Sequence, residues 1–257
     1  MDVFSKKYCI FAQHLIMYGQ IMNFAVIAAG EGSRLVQEGV STPKPLVRIG
    51  GVPLIERLLD MFVVQQPETI SVIVNTKMPE VSLWLEHWKT EHEEVVLNIV
   101  KKDTPSSMHS LYELFSVLPD APFVCTTVDT LFTKEDFSAY CQAFRASSST
   151  CLFGLTSFVD DEKPLWVHVN DEGFICDFCD EGPAPFVSGG IYGLHKSLVS
   201  PVLNQCLSNG QARMRNFQRA LLKSGVPVRA HLFGRVMDID HRRDIEVAER
   251  WLGGEND

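Results

Sequence analysis

Short apolar runs and amphipathic stretches alternate along this chain from residue 22 to residue 157, and no other feature restricts the fold as much. MNFAVIAA, TISVIVNT (69–76), EVVLNIVKK (94–102), APFVCTTVD (121–129) and STCLFGLTS (149–157) read as strands. Between them, PLIERLLDMFVVQ (53–65), PEVSLWLEHWKTE (79–91), SSMHSLYELFSVL (106–118) and KEDFSAYCQAFRAS (134–147) read as helices, several with proline or serine at the first turn. Such alternation builds an α/β fold: a mostly parallel, Rossmann-like sheet flanked by helices. Ligands of these sheets bind outside the carboxyl ends of the strands. Residues 158–193 change character. Short strand-like runs there are separated by Asp-Glu-Gly and Glu-Gly-Pro turns, which predicts a small antiparallel lobe beside the main sheet. Helices return near 196–206 and 212–224, then a strand, PVRAHLF, and a closing helix after VMDID. Residues 22–257 thus read as one domain. Residues 1–21 read as an extension, a mis-set start or a short packed helix, since Met22 directly precedes the first strand.

Composition narrows the partners. The chain of 257 residues has a formal net charge of −9, which argues against polymeric nucleic acid but not against a small anion held by a few local cations. Seven scattered cysteines read as reduced thiols of a cytoplasmic protein. The lone pair Cys176 and Cys179 falls in a strand, where residues three apart face opposite ways, so it does not read as a zinc site. No apolar run is long enough to cross a membrane, and the N-terminus lacks a small-residue cleavage site.

The chemistry concentrates after the first strand, in AAGEGSRL followed by PKPLV. A dinucleotide fingerprint would need a third glycine where Leu35 stands and a helix opening at once; a Walker loop would need Gly-Lys-Ser/Thr. The physical reading is a triphosphate cradle. Backbone N–H groups around Gly30 and Gly32 approach phosphates closely, Arg34 offers a planar fork, and Lys44 is a point charge stiffened between Pro43 and Pro45 in an extended segment.

AAGEGSRL with PKPLV after a first strand resembles the signature of the sugar-phosphate nucleotidyltransferases, whose relatives include bacterial choline-phosphate cytidylyltransferases. The resemblance runs along most of residues 22–252. It implies that an NTP and a phosphorylated small molecule combine with release of pyrophosphate. It implies nucleotide contacts from Ala28, Ala29, Gly30, Glu31, Gly32 and Ser33, with Arg34 and Lys44 as the catalytic cations. CTTVDTLF resembles the strand ending in the family's metal-binding Asp, here Asp129; VMDIDHRRDIEVAE resembles the segment supplying a second carboxylate, Asp238 or Asp240. Mg²⁺ is the implied ion. Helix capping is the competing role for all three acids. SSMHSLYEL places Ser107 at the nucleotide, and its SLY leans toward CTP or UTP and the choline-phosphate branch. FVSGGIYGL resembles the substrate-lobe segment; Gly190 matches and Ser188 replaces an Asn. Glu181 and Trp166 complete the expected acceptor contacts, although the Lys of a Glu-Lys-Pro run is absent before Pro183, which weakens a hexose 1-phosphate reading. A glycosyltransferase would want Asp-x-Asp where Thr127-Val128-Asp129 stands, and a non-catalytic nucleotide-sensing module would have lost Arg34, Lys44 or the acids.

Overall fold

The computed structural model describes residues 22–147 and 150–254; the N-terminal extension lies outside the described residues. In chain order the strands are β1 (Asn23–Ala28), β2 (Arg48–Ile49), β3 (Val52–Pro53), β4 (Thr69–Val74), β5 (Leu97–Lys101), β6 (Pro122–Thr127), β7 (Thr130–Leu131), β8 (Cys151–Thr156), β9 (Trp166–Val169), β10 (Ile175–Cys179), β11 (Phe186–His195), β12 (Val228–Phe233) and β13 (Met237–Asp238). The main sheet runs β10-β9-β11-β6-β1-β4-β5, with β8 and then β12 added beside β11. Its β5-β4-β1-β6 portion is parallel, as the alternation requires, because β1, β4, β5 and β6 follow one another in the chain through helical crossovers. β11 pairs antiparallel with both β6 and β8, and β9 and β10 extend that antiparallel end. The expected lobe of residues 158–193 is therefore the antiparallel margin of one mixed sheet.

Strand β1 shows how the sequence sets the layers. Successive side chains of a strand point to opposite faces. Phe24, Val26 and Ala28 enter one buried core, whereas Ala25, Ile27 and Ala29 enter the other. On the first face Phe24 stacks on Phe62 of the helix Leu54–Val64 with ring centroids 4.3 Å apart. On the second, the helices Ser107–Leu114 and Lys196–Ser208 contribute Met108, Leu111, Val199 and Leu203. Two-sided burial explains why these strands read as continuous apolar runs.

Two local expectations need correction. The glycine loop does open a short helix, Ser33–Gln37, entered from Gly32 in the left-handed region and anchored by buried Leu35. Lys44 does not sit in extended chain. Lys44–Leu46 form a 3₁₀ turn, closed by the Leu46 N–H donating to Pro43 O (2.8 Å), and the fixed φ of Pro45 suits that turn. In the CxxC strand, a register shift between Ile175 and Asp177 leaves Cys176 exposed, its thiol donating to His168 O, while the Cys179 thiol donates to Asp177.

Candidate active site

The site forms where the ends of β1 and β6 meet the short ladder β7–β13. That ladder pairs Thr130 with Asp238, and the Ile239 N–H donates to Asp129 O at 3.0 Å. Residues more than a hundred positions apart are thereby brought together. Ile239 is fully buried, so the acids on either side of it emerge on one side, as alternation in an extended segment demands.

Lys44 is the centre of the cluster. Its side chain is only 7% exposed, and Nζ contacts Asp129 Oδ2 and donates to Asp240 Oδ1 at 2.6 Å. Arg34 donates to the other oxygen of Asp240 at 2.8 Å. Burial alone would lower the Lys44 pKa, but Asp129 and Asp240 outweigh it and hold the ammonium above its ordinary range. Burial likewise works against ionised Asp129, yet Lys44 keeps that carboxyl below its usual value. Asp238 behaves oppositely. Crowding of its carboxyl within the cleft, then the negative charge of Asp129, push it up to about 7, although the residue as a whole retains solvent exposure; Thr130 donates to its Oδ1 at 3.0 Å.

The competing capping roles are not what these acids do. Thr133 caps the helix Lys134–Ala146, its Oγ1 accepting from the Asp136 N–H. Asp244 accepts from the N–H groups of Asp240 and His241 at the start of the helix Arg242–Leu252.

On one side of the cluster opens a cleft of about 570 Å³, lined by Ala29, Gly30, Glu31, Gly32, Lys44, Asp103 to Ser107, Ser110 and Asp129. Six of the expected residues thus share one cleft with Asp129. Gly32 is required there twice over: its φ is +60°, and an added Cβ would lie 3.0 Å from Lys44 Cβ. Ala28 is fully buried at the end of β1, and Ser33 is exposed on the short helix; neither lines the cleft. Glu31 pairs with Lys77 across the mouth at 2.6 Å.

On the other side lies a narrower recess, lined by Arg34, Ser188, Gly189, Asp238, Asp240 and His241, and walled by Phe158 and the run Asp160-Asp161-Glu162. Gly190 sits behind it in a β-bulge with φ +71°, its Cβ position 2.9 Å from Thr130 Oγ1. Trp166 packs beneath Gly182, and Glu181 is exposed; both stand outside the recess.

Sequence reading missed three contributors. Glu38 accepts from the Arg242 N–H and pairs with His241 Nδ1 at 2.6 Å, tying the glycine loop to the last helix. Asn75 donates to Ala29 O, steadying the loop from the end of β4. The acidic run 160–162, to which the sequence reading gives no role, walls the recess. The repeated Asx and Thr/Ser residues at strand ends (Asn75, Thr76, Asp103, Thr104) were the one available signal, since strand ends are where such sheets bind ligands.

A MobA-like NTP transferase domain model matches residues 24–223, and the chain belongs to that family. It is 31% identical over 136 residues to the 2-aminoethylphosphonate cytidylyltransferase of Lancefieldella rimae, covering 51% of this chain and 50% of that one. The chain spans about half the length of the curated relatives it matches. Among solved structures, the inositol-1-phosphate CTP transferase from T. maritima superposes with a TM-score of 0.76 at 18% identity, over 93% of this chain and 100% of that one. The CTP:phosphocholine cytidylyltransferase from Streptococcus pneumoniae gives 0.73 at 18% identity, over 91% and 100%. The two structures share the α/β fold. Among the described residues, no helix is long and apolar enough to cross a membrane.

Proposed function

We propose that this protein transfers a nucleotidyl group from an NTP to a phosphorylated small molecule and releases pyrophosphate. The observation that carries the reading is the cation–carboxylate cluster of Lys44, Arg34, Asp129 and Asp240 between a nucleotide-sized cleft and a second recess. An acceptor phosphate is already ionised and needs no general base. Its oxygen attacks the α-phosphorus in line; the new P–O bond forms as the bond to the β-phosphate oxygen breaks, and pyrophosphate carries away the electron pair. The chain's task is to position and to neutralise charge. Lys44 and Arg34 exchange carboxylate partners for phosphate oxygens as the substrates enter. Gly30 and Gly32 let the backbone approach the triphosphate, and the Asp103–Ser107 segment faces the base.

Asp129 with Asp238 or Asp240 would hold Mg²⁺. The donor set fits: the acids offer hard oxygens, and Asp238, raised first by the crowding of its carboxyl and then by the charge of Asp129, would have that second contribution relieved by a dication. When bound, Mg²⁺ supplies charge neutralisation at the phosphates and templates their geometry.

Within this class we favour CTP and a non-sugar acceptor bearing an amine. Asp160, Asp161 and Glu162 wall the recess opposite Arg34, a setting for a cationic tail on an anionic head. The face of Phe158 is already covered by Arg235, at 4.1 Å, so the acids rather than this ring would meet the amine. The names of the Lancefieldella rimae relative and the S. pneumoniae structural neighbour both specify cytidylyl transfer to such molecules. The test is pyrophosphate release with Mg²⁺ and each of four NTPs, against hexose 1-phosphates, choline phosphate, aminoethylphosphonate and glycerol phosphate. Release confined to CTP with an amine-bearing acceptor supports the full reading. Release with a hexose 1-phosphate overturns the acceptor assignment, and no release with any pair overturns the function.

A further inference from the structure

The helix Met214–Lys223 buries Met214, Phe217 and Leu221 on one stripe, and Gln218 lies on the same stripe, 2% exposed. A leucine there would serve the core without a polar group to satisfy; an amide in such a place is stable only when hydrogen-bonded. Gln218 Nε2 donates to Ser188 Oγ at 3.1 Å. Ser188 lines the recess beside Asp238 and Asp240, and its backbone N–H donates to Leu165 O at 2.9 Å, at the point where the bulge of β11 begins. A serine hydroxyl has one proton and two lone pairs. The amide occupies one lone pair, which leaves the proton and the other lone pair for a molecule in the recess.

We infer that Gln218 is a positioning residue, which holds the Ser188 hydroxyl in the recess as the group that reads a polar oxygen of the acceptor. This rests on the reading of the recess as the acceptor site. The chemistry recognised is a hydroxyl or a phosphate or phosphonate oxygen of the acceptor, because a serine hydroxyl in the recess that also holds Arg34 can both donate to and accept from such a group.

Steady-state kinetics of Ser188→Ala, Gln218→Met and the double variant, with NTP and acceptor varied separately, tests this. Each single change is expected to raise the acceptor KM on the order of tenfold, the worth of one hydrogen bond. The NTP KM should stay within about twofold, and the double variant should be no worse than Ser188→Ala, because both changes remove one interaction. An unchanged acceptor KM in active Ser188→Ala, or losses that multiply in the double variant, would overturn the inference while leaving the transferase reading intact. Should Gln218→Met not fold, Ser188→Ala alone decides. A wild-type protein inactive with every NTP–acceptor pair overturns the parent reading, and this one with it.

Discussion

The two sides of the site are built differently. The cleft side rests largely on one continuous segment, residues 29–44, whose Gly30, Gly32 and Lys44 line it, with residues 103–107 and Asp129 completing it. The acceptor side is assembled from pieces far apart in sequence: Arg34 from the loop, the run 160–162, Ser188 and Gly189 from β11, and the acids after β12. In the proposed reading the triphosphate meets backbone N–H groups and local charge, which a single glycine-bearing loop can supply, whereas the acceptor meets isolated side chains that any strand or turn reaching the recess can provide.

That difference can be broken by mutation. Lys44→Ala should have the largest effect, because it strips the cation contacting both Asp129 and Asp240 from a nearly closed position. Breaking a fully buried pair costs about 3–5 kcal/mol; Asp129 and Asp240 are 22% and 38% exposed, so the loss falls below that range, yet thermal unfolding should still shift downward as turnover falls. Arg34→Ala should lower turnover on the order of 10²–10³-fold, as for loss of one transition-state donor, yet hardly move the melting temperature, since Arg34 is 50% exposed. Equal destabilisation by the two variants would erase the distinction between buried pivot and exposed finger.

On the acceptor side, Asp160→Asn with Asp161→Asn should raise the KM of an amine-bearing acceptor by roughly tenfold and leave the NTP KM unchanged, the low end of the about 1.5–3 kcal/mol expected for hydrogen bonds to charge, since both side chains are exposed. A matching rise in the NTP KM would show that the wall serves both substrates.

The smallest expected effect concerns pH. Asp238 is pushed up to about 7 from an ordinary 3.8. Between those values the folded protein keeps a proton that the unfolded chain has released, so stability declines as pH rises through this window. In metal-free protein Asp238→Asn should remove this decline, gaining melting temperature over wild type as pH increases toward 7. The gain is modest because the residue remains partly solvated. A variant that instead loses ground with rising pH would contradict the repulsion assigned to Asp129 and Asp238.

Much of this was legible in the sequence where local pattern decides. The helix Pro79–Glu91 has the bounds its amphipathic run predicts, and the helix Lys134–Ala146 departs by one residue. The two-residue spacing of Asp238 and Asp240 by itself places both on one side of an extended segment. What was not legible depends on closure of the chain. Glu38 finds His241 across 203 positions, and Gln218 looks like a solvent-facing residue until β11 is laid beside its helix. The short helix at Ser33 was missed because its length is set by Leu35 reaching the core, a tertiary contact, rather than by propensity. The 3₁₀ turn at Lys44 was missed because two flanking prolines read as extended chain, although a proline within the turn also satisfies its fixed φ.

In the proposed reaction Asp129 and Lys44 meet at the reacting phosphates. Calorimetric NTP binding paired with pyrophosphate release, for wild type and Asp129→Ala in Mg²⁺, tests this directly. The variant is expected to bind NTP still, because the glycine loop is intact, while pyrophosphate release falls on the order of 10²–10³-fold, the scale of losing one group that acts on transition-state charge. Release at the wild-type rate from Asp129→Ala would contradict it.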